Sequence, residues 1–387
     1  MTILKRTLSA AMVVLLAISA LTGCSNSTKK EYKFDDVRVS DSDISKIESQ
    51  VDDALRENEF IGSGAITINK QDIYSKSIGY ADSIKKKKLT NKTPYHIGQL
   101  AMNITGAAVL MLEKSGKLNP KDTIDKYFSS QYGESLSKVT VEQLISNRVD
   151  FGSYATEIYN TPEEAVRYKT YLRTKNPDKY SVKISNMIVE HILRHGCKKG
   201  KQNSLSNYYL LGKIITKASG TSYRDYVQKN IFDKLSMKHT GFVSSKCKFA
   251  GYDMNNKVWH RFNEAPSVLN FGFAYSAFGL YSCADDMSAF YKALSNGELM
   301  DIDFMKKLKL APSNDYCGFV RDGNNVSARS RVSVNCGYVH INIETKEVVT
   351  LLSNRVGKED IKNTGDELYS ILSSKINGII LSDINEK

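Results

Sequence analysis

The sequence predicts an α+β domain: an antiparallel sheet flanked by helices, with an all-helical insertion between its two halves. Three observations carry this expectation. Strand-like runs occur near the start of the chain and again near its end, while the middle shows the 3.6-residue apolar spacing of helices. With 387 residues, 41% of them hydrophobic, there is ample chain for a buried core. No internal repeat points to a solenoid, and strands at both ends with helices between them fit one sheet domain that is interrupted.

Taken in order, Ile44, Ile47, Val51 and Leu55 mark one face of a helix over roughly 43–57. Gly64–Asn69 and Ile73–Tyr80 read as strands joined by the polar turn Lys70-Gln71-Asp72. Ile104, Ala107, Ala108, Met111 and Leu112 recur at i, i+3, i+4, i+7 and i+8, predicting a helix that Gly116 stops. Leu211, Ile214, Ile215 and Ala218 mark another, ended by Gly220. Ser282 and Asp285 have the spacing of a capping box ahead of Met287, Phe290, Tyr291 and Leu294. Four short strands follow, Tyr316–Val320, Arg329–Val334, Gly337–Ile343 and Glu347–Ser353, then a terminal helix over about Lys362–Ile376.

The first residues set the compartment. Lys5 and Arg6 precede an almost uncharged apolar run from Leu8 to Leu21, too short for a comfortable membrane span and ending in small residues. It reads as an export signal. Leu21-Thr22-Gly23-Cys24 directly after it resembles the bacterial lipobox, which implies a Cys24 that is diacylated and becomes the first residue of the mature chain. The polar stretch from Ser25 to about Ser42 lacks apolar periodicity and reads as a flexible tether. The expected boundaries are 1–23 for the signal, 24–42 for the tether, 43–378 for the domain and 379–387 for a tail. Within the domain the sheet part takes 43–100 and 310–378, and the helical part 101–309.

Charge is then interpretable. The 54 Lys+Arg against 42 Asp+Glu leave a net +12, which alone suits nucleic acid, a membrane or an acidic polymer. Residues 1–23 carry two positive charges and no acid, so the exported chain remains +10. Export excludes nucleic acid and leaves anionic lipid and wall polymers as partners. Lys85–Lys88 is a run of four lysines that fits a solvated loop or a polyanion contact. Beyond Cys24 the cysteines are Cys197, Cys247, Cys283, Cys317 and Cys336, an odd number without zinc spacing. Cys317 and Cys336 could lie on neighbouring strands, but buried free thiols are the simpler reading.

Several blocks in fixed order carry a resemblance. They are Ile78-Gly79-Tyr80-Ala81, Tyr95-His96-Ile97-Gly98, Glu113-Lys114-Ser115-Gly116-Lys117-Leu118 and Ser206-Asn207-Tyr208-Tyr209-Leu210-Leu211-Gly212. Further on stand Ile231-Phe232-Asp233-Lys234-Leu235, Gly279-Leu280-Tyr281-Ser282 and Leu351-Leu352-Ser353-Asn354. Together, over about residues 42–378, they resemble the serine β-lactamase and penicillin-binding-protein family, in its class C, DD-carboxypeptidase and esterase branch. That family's chemistry implies a nucleophilic serine opening a helix, a lysine one turn later, a Tyr-x-Asn loop and a Lys/His-x-Gly strand.

This chain departs at each place. The Ser-x-x-Lys position reads Gln99-Leu100-Ala101-Met102, and a carboxamide and a thioether supply neither nucleophile nor base. The Tyr-x-Asn position reads Leu205-Ser206-Asn207, so the phenol is lost. The Lys/His-x-Gly strand reads Arg331-Val332-Ser333, and a His-x-Ser-Gly turn is replaced by Asn147-Arg148-Val149-Asp150. Ser83 with Lys86, Ser135 with Lys138 and Ser245 with Lys248 repeat the Ser-x-x-Lys spacing, but none opens an apolar helix behind Ile-Gly.

Other candidates are weaker. His191 and His195 have i, i+4 spacing but no third ligand, and a solvated basic helix face explains them. His340 reads as a structural histidine rather than a general base. Arg331 either points into the groove, where it would pair a carboxylate or phosphate bidentately, or lies on an exposed strand. The sequence thus predicts a lipoprotein on the extracytoplasmic face of a bacterial membrane, held in the bilayer through Cys24, with no cofactor and no metal. Gln99, Asn207 and Arg331 are its candidate ligand contacts, above an apolar floor of Met102 and Leu205. The expected partner is a peptidoglycan or teichoic acid fragment, or an envelope protein. The alternative is an active D-Ala-D-Ala carboxypeptidase, β-lactamase or esterase with its nucleophile elsewhere.

Overall fold

A computed structural model describes residues 38–82, 86–128, 136, 138–154, 181–199, 205–244, 247, 249–253, 258–262, 271–299, 304–311, 315–332, 335–356, 361–367 and 369–371. The expected signal, Cys24, most of the tether and the tail lie outside them, as do Ser333 and Lys85. Among the described residues no helix is long and apolar enough to cross a membrane.

The two ends of the chain meet in one antiparallel sheet. Its strands are β1 (Gly62–Ile68), β2 (Gln71–Ile78), β3 (Asp315–Tyr316), β4 (Phe319–Asp322), β5 (Asn325–Val332), β6 (Asn335–Asn342) and β7 (Glu347–Ser353). Their order is β3-β4-β5-β6-β7-β1-β2. The seam between the halves is β1 on β7, in register from Ser63↔Leu352 to Ile68↔Glu347. Every residue of both strands is buried, which requires cover on both faces. Helix α1 (Asp41–Glu57) covers one, where Asp52 accepts from the Tyr74 hydroxyl and from Lys76, each at 2.8 Å. On the other side lie α2 (Ala101–Lys114), α3 (Leu205–Ser219) and α4 (Ala284–Ser295). There Lys292 of α4 reaches Asp72 at 2.7 Å.

The helices form where periodicity placed them, and α2 is buried almost all round because it runs through the core between sheet and helices. The middle of the chain is not purely helical. Tyr95–His96, Gly241–Phe242 and Leu280–Ser282 make a small three-stranded sheet, and the hairpin Phe249–Asp253 with Val258–Phe262 pairs in parallel with Arg355–Val356. Strands this short set no readable period.

Three local expectations change. The first hairpin turns at Asn69-Lys70, with Asn69 at φ 51°, so Gln71 and Asp72 belong to β2. The run Tyr316–Val320 is two strands, split by a turn at Cys317-Gly318 whose φ angles are 54° and 76°. Helix α4 is capped by Cys283, whose Sγ accepts from the Asp286 N–H at 3.5 Å, because Ser282 pairs with Tyr95 across the small sheet. The five cysteines beyond Cys24 are free thiols. His340 is structural: its Nδ1 lies 3.2 Å from the Tyr338 hydroxyl, and its ring stacks on Tyr369 at 3.8 Å. Asp366 accepts from Tyr338 as well, so this cluster holds the helical residues 361–367 and 369–371 to the sheet.

Candidate ligand-binding site

The site begins at a glycine. Ile97 donates its N–H to Leu280 O at 3.2 Å, and the chain then turns sharply at Gly98, φ +52°. A Cβ at Gly98 would lie 2.6 Å from Val332 Cγ2 and 3.2 Å from Ser330 Cβ, so only glycine lets the turn press on the end of β5. His96 secures it by accepting the Gly98 N–H on Nδ1 at 3.1 Å. The imidazole is 2% exposed, and desolvation pushes its pKa down to about 4, so it is neutral at pH 7.

Gln99 stands at the mouth, half-buried in the 3-10 turn Gly98–Leu100 that leads into α2. Its Oε1 accepts from the backbone N–H of Arg331 at 3.4 Å, a long bond. This joins two of the expected contact positions. The Arg331 side chain is exposed, and among the described residues no carboxylate pairs with it.

The floor is different. Met102 is 1% exposed. The Cys317-Gly318 turn lies across it: a Cβ on Gly318 would come 2.7 Å from Met102 Cβ, and one on Gly106 2.6 Å from Cys317 Cβ. Asn103 ties the turn down by donating Nδ2 to Cys317 O at 3.0 Å, while its own Oδ1 accepts from the Tyr291 hydroxyl at 2.9 Å. Leu205 opens α3 half-buried against the core. Asn207 is fully buried. Its Nδ2 donates to Asn147 Oδ1 at 3.1 Å and to Val149 O at 2.8 Å, and Asn147 donates on to Asp315 Oδ1 at 3.1 Å. Asn207 therefore serves a buried chain joining α3, the 147–149 turn and β3, apart from the pair at the mouth.

Two contributors were not legible beforehand. His96 lies inside a recognised block, but only the fold shows that it holds the Gly98 turn. Ser330, 6% exposed, faces inward beside Gly98 and Gly337, and its Oγ has no hydrogen-bond partner among the described residues. No group of three or more His, Cys, Asp or Glu among the described residues is placed to hold a metal. His191 is buried on the helix Ser181–His195, and nothing of the His195 side chain is described. A separate cavity of about 450 Å³, lined by Leu55, Phe60, Ile61, Ile78 and Arg355 among others, includes none of the motif positions.

This geometry has recognisable relatives. The Beta-lactamase family model matches residues 48–368. The penicillin-binding-protein-like PbpX of Bacillus subtilis (strain 168) is 24% identical over 362 residues, covering 90% of this chain and 84% of that protein. Protein flp of Staphylococcus aureus (strain MW2) is 27% identical over 229 residues, which span 57% of this chain and only 43% of that relative. Among solved structures, FmtA from Staphylococcus aureus superposes with a TM-score of 0.70 at 23% identity, over 90% of this chain and 93% of that one. D-amino acid amidase from Ochrobactrum anthropi SV3 does so with 0.65 at 19% identity, over 88% and 99%. At these identities the structural likenesses speak for the fold.

Proposed function

The chain belongs to the Beta-lactamase family, and we propose that it works as a non-catalytic binding protein of the cell envelope, tethered to the membrane through Cys24. One observation carries this reading. Where the family's acylation chemistry calls for a serine and a lysine one turn apart, a carboxamide leans on the β5 edge and a thioether is sealed under the Cys317-Gly318 turn. A nucleophile without a proton acceptor beside it does not form an acyl-enzyme at useful rates. The mouth keeps binding chemistry: the Gln99 amide offers donors and an acceptor, and the exposed Arg331 guanidinium suits a carboxylate or phosphate. The net charge, +10 once residues 1–23 are removed, favours an anionic wall fragment, of peptidoglycan or teichoic acid type, or an envelope protein with an acidic face.

A serine hydrolase reading has one observation in its favour. The Ser330 hydroxyl, unpartnered among the described residues, sits beside the same Gly98 turn. Intact-mass spectrometry after excess fluorophosphonate or β-lactam separates the two. The binding-protein reading expects unmodified mass; a stoichiometric adduct overturns it, and peptide mapping then tells whether Ser330 carries the label.

A further inference from the structure

Half-buried lysines in this molecule are generally neutralised. Lys76 sits on Asp52 at 2.8 Å, Lys292 on Asp72 at 2.7 Å and Lys307 on Glu113 at 2.6 Å. Lys213 departs from that pattern. It lies half-buried on α3 with Nζ 5.1 Å from the centroid of the Tyr275 ring, and no carboxylate among the described residues pairs with it. One turn on, along the same helix face, Lys217 donates to Tyr127 O and lies 5.5 Å from the centroid of the Phe128 ring, again without a carboxylate among the described residues. Asp122, six residues before Phe128, is already taken by Lys126 and by the Tyr127 hydroxyl.

Two ammonium groups at i, i+4 repel, and burying one of them adds a desolvation cost. Desolvation, and then the charge of Lys217, pull the pKa of Lys213 down to about 8, which still leaves it mostly protonated at pH 7. The aromatic faces offset part of this cost but carry no net charge. What the cluster lacks among the described residues is an anion.

We propose that Lys213 and Lys217 form an oxyanion site, walled by the Tyr275 and Phe128 rings, that takes a phosphate group. Phosphate is favoured over carboxylate because its charge at neutral pH can offset both lysines at once. The site lies about 12 Å along the α3 axis from Leu205, and it stands or falls independently of whether the Gln99 mouth is catalytic.

The test uses the full chain in phosphate-free buffer at pH 7 and constant ionic strength, titrated with inorganic phosphate. Calorimetry and thermal unfolding are read together. Saturable binding with a rise in melting temperature is expected, weakened about tenfold or more in Lys213→Met, the loss of one charge-assisted hydrogen bond. Without phosphate, Lys213→Met should melt no lower than the wild type, since a desolvated charge with no carboxylate partner among the described residues has been removed. Absence of saturable binding, an equal response to chloride, or unchanged phosphate affinity in Lys213→Met overturns the site. So does a Lys213→Met variant that melts lower in phosphate-free buffer, which would make the Tyr275 contact the residue's whole role. Parallel titrations with glycerol phosphate and with phosphatidylglycerol vesicles distinguish a free or polymer-borne phosphate from a lipid headgroup.

Discussion

The mouth and the floor of the altered site are built on opposite principles. At the mouth, Gln99 makes one long bond to the β5 edge and Arg331 extends into solvent. At the floor, Met102 is enclosed by a turn that tolerates no Cβ at Gly318, and Asn103, Asn147 and Asn207 are each held by hydrogen bonds of 2.8–3.1 Å. A group held by one weak bond exchanges it for a ligand at little cost, whereas a buried hydrogen-bonded network gives up a bond for any it gains. On the proposed reading, binding belongs to the mouth and stability to the floor.

The sharpest way to break that comparison is to restore the family's lysine in the floor. Met102→Lys would bury an ammonium group beneath Gly318, at a position that is 1% exposed. A loss on the order of 3–5 kcal/mol is expected in urea unfolding; a variant as stable as the wild type would mean that the floor is open. The next effect concerns the hinge between the two regions. The folded pKa of His96 lies at about 4, below the ordinary 6.5, so the neutral ring favours folding. Its contribution is complete above pH 6.5 and disappears as pH falls from 6.5 to 4, because the unfolded chain takes up the proton first. Relative to His96→Gln, the wild type should lose up to about 3 kcal/mol over that window. Parallel pH profiles would contradict a buried imidazole at Gly98. The smallest effect belongs to the mouth. Gln99→Ser should change unfolding free energy by no more than about 0.5 kcal/mol, and a large loss would move Gln99 into the floor.

How much of this was legible beforehand depends on the range of the interaction. The faces of α1, α2, α3 and α4 could be read because each is a local apolar period, and β1 and β7 because each carries a short apolar or β-branched run bounded by turn residues. The Cys317-Gly318 turn leaves no local signal because Tyr316–Val320 reads as one strand, and nothing in the pattern announces that Gly106 meets Cys317 or that Gly318 meets Met102. Cys283 replaced Ser282 as a cap because a distant strand, Tyr95–His96, recruited the serine. Asn207 looked like a groove contact in a motif; its burial depends on Asn147, sixty residues earlier in the chain.

By itself the sequence determined which atoms stand at the motif positions: an amide for a hydroxyl, a thioether for an amine, an isobutyl group for a phenol. Those are covalent facts that no packing alters. Tertiary structure alone decided which of the replacements face solvent and which are sealed. Exposure is settled by segments far apart in the chain arriving at one place, and no local period records where they meet.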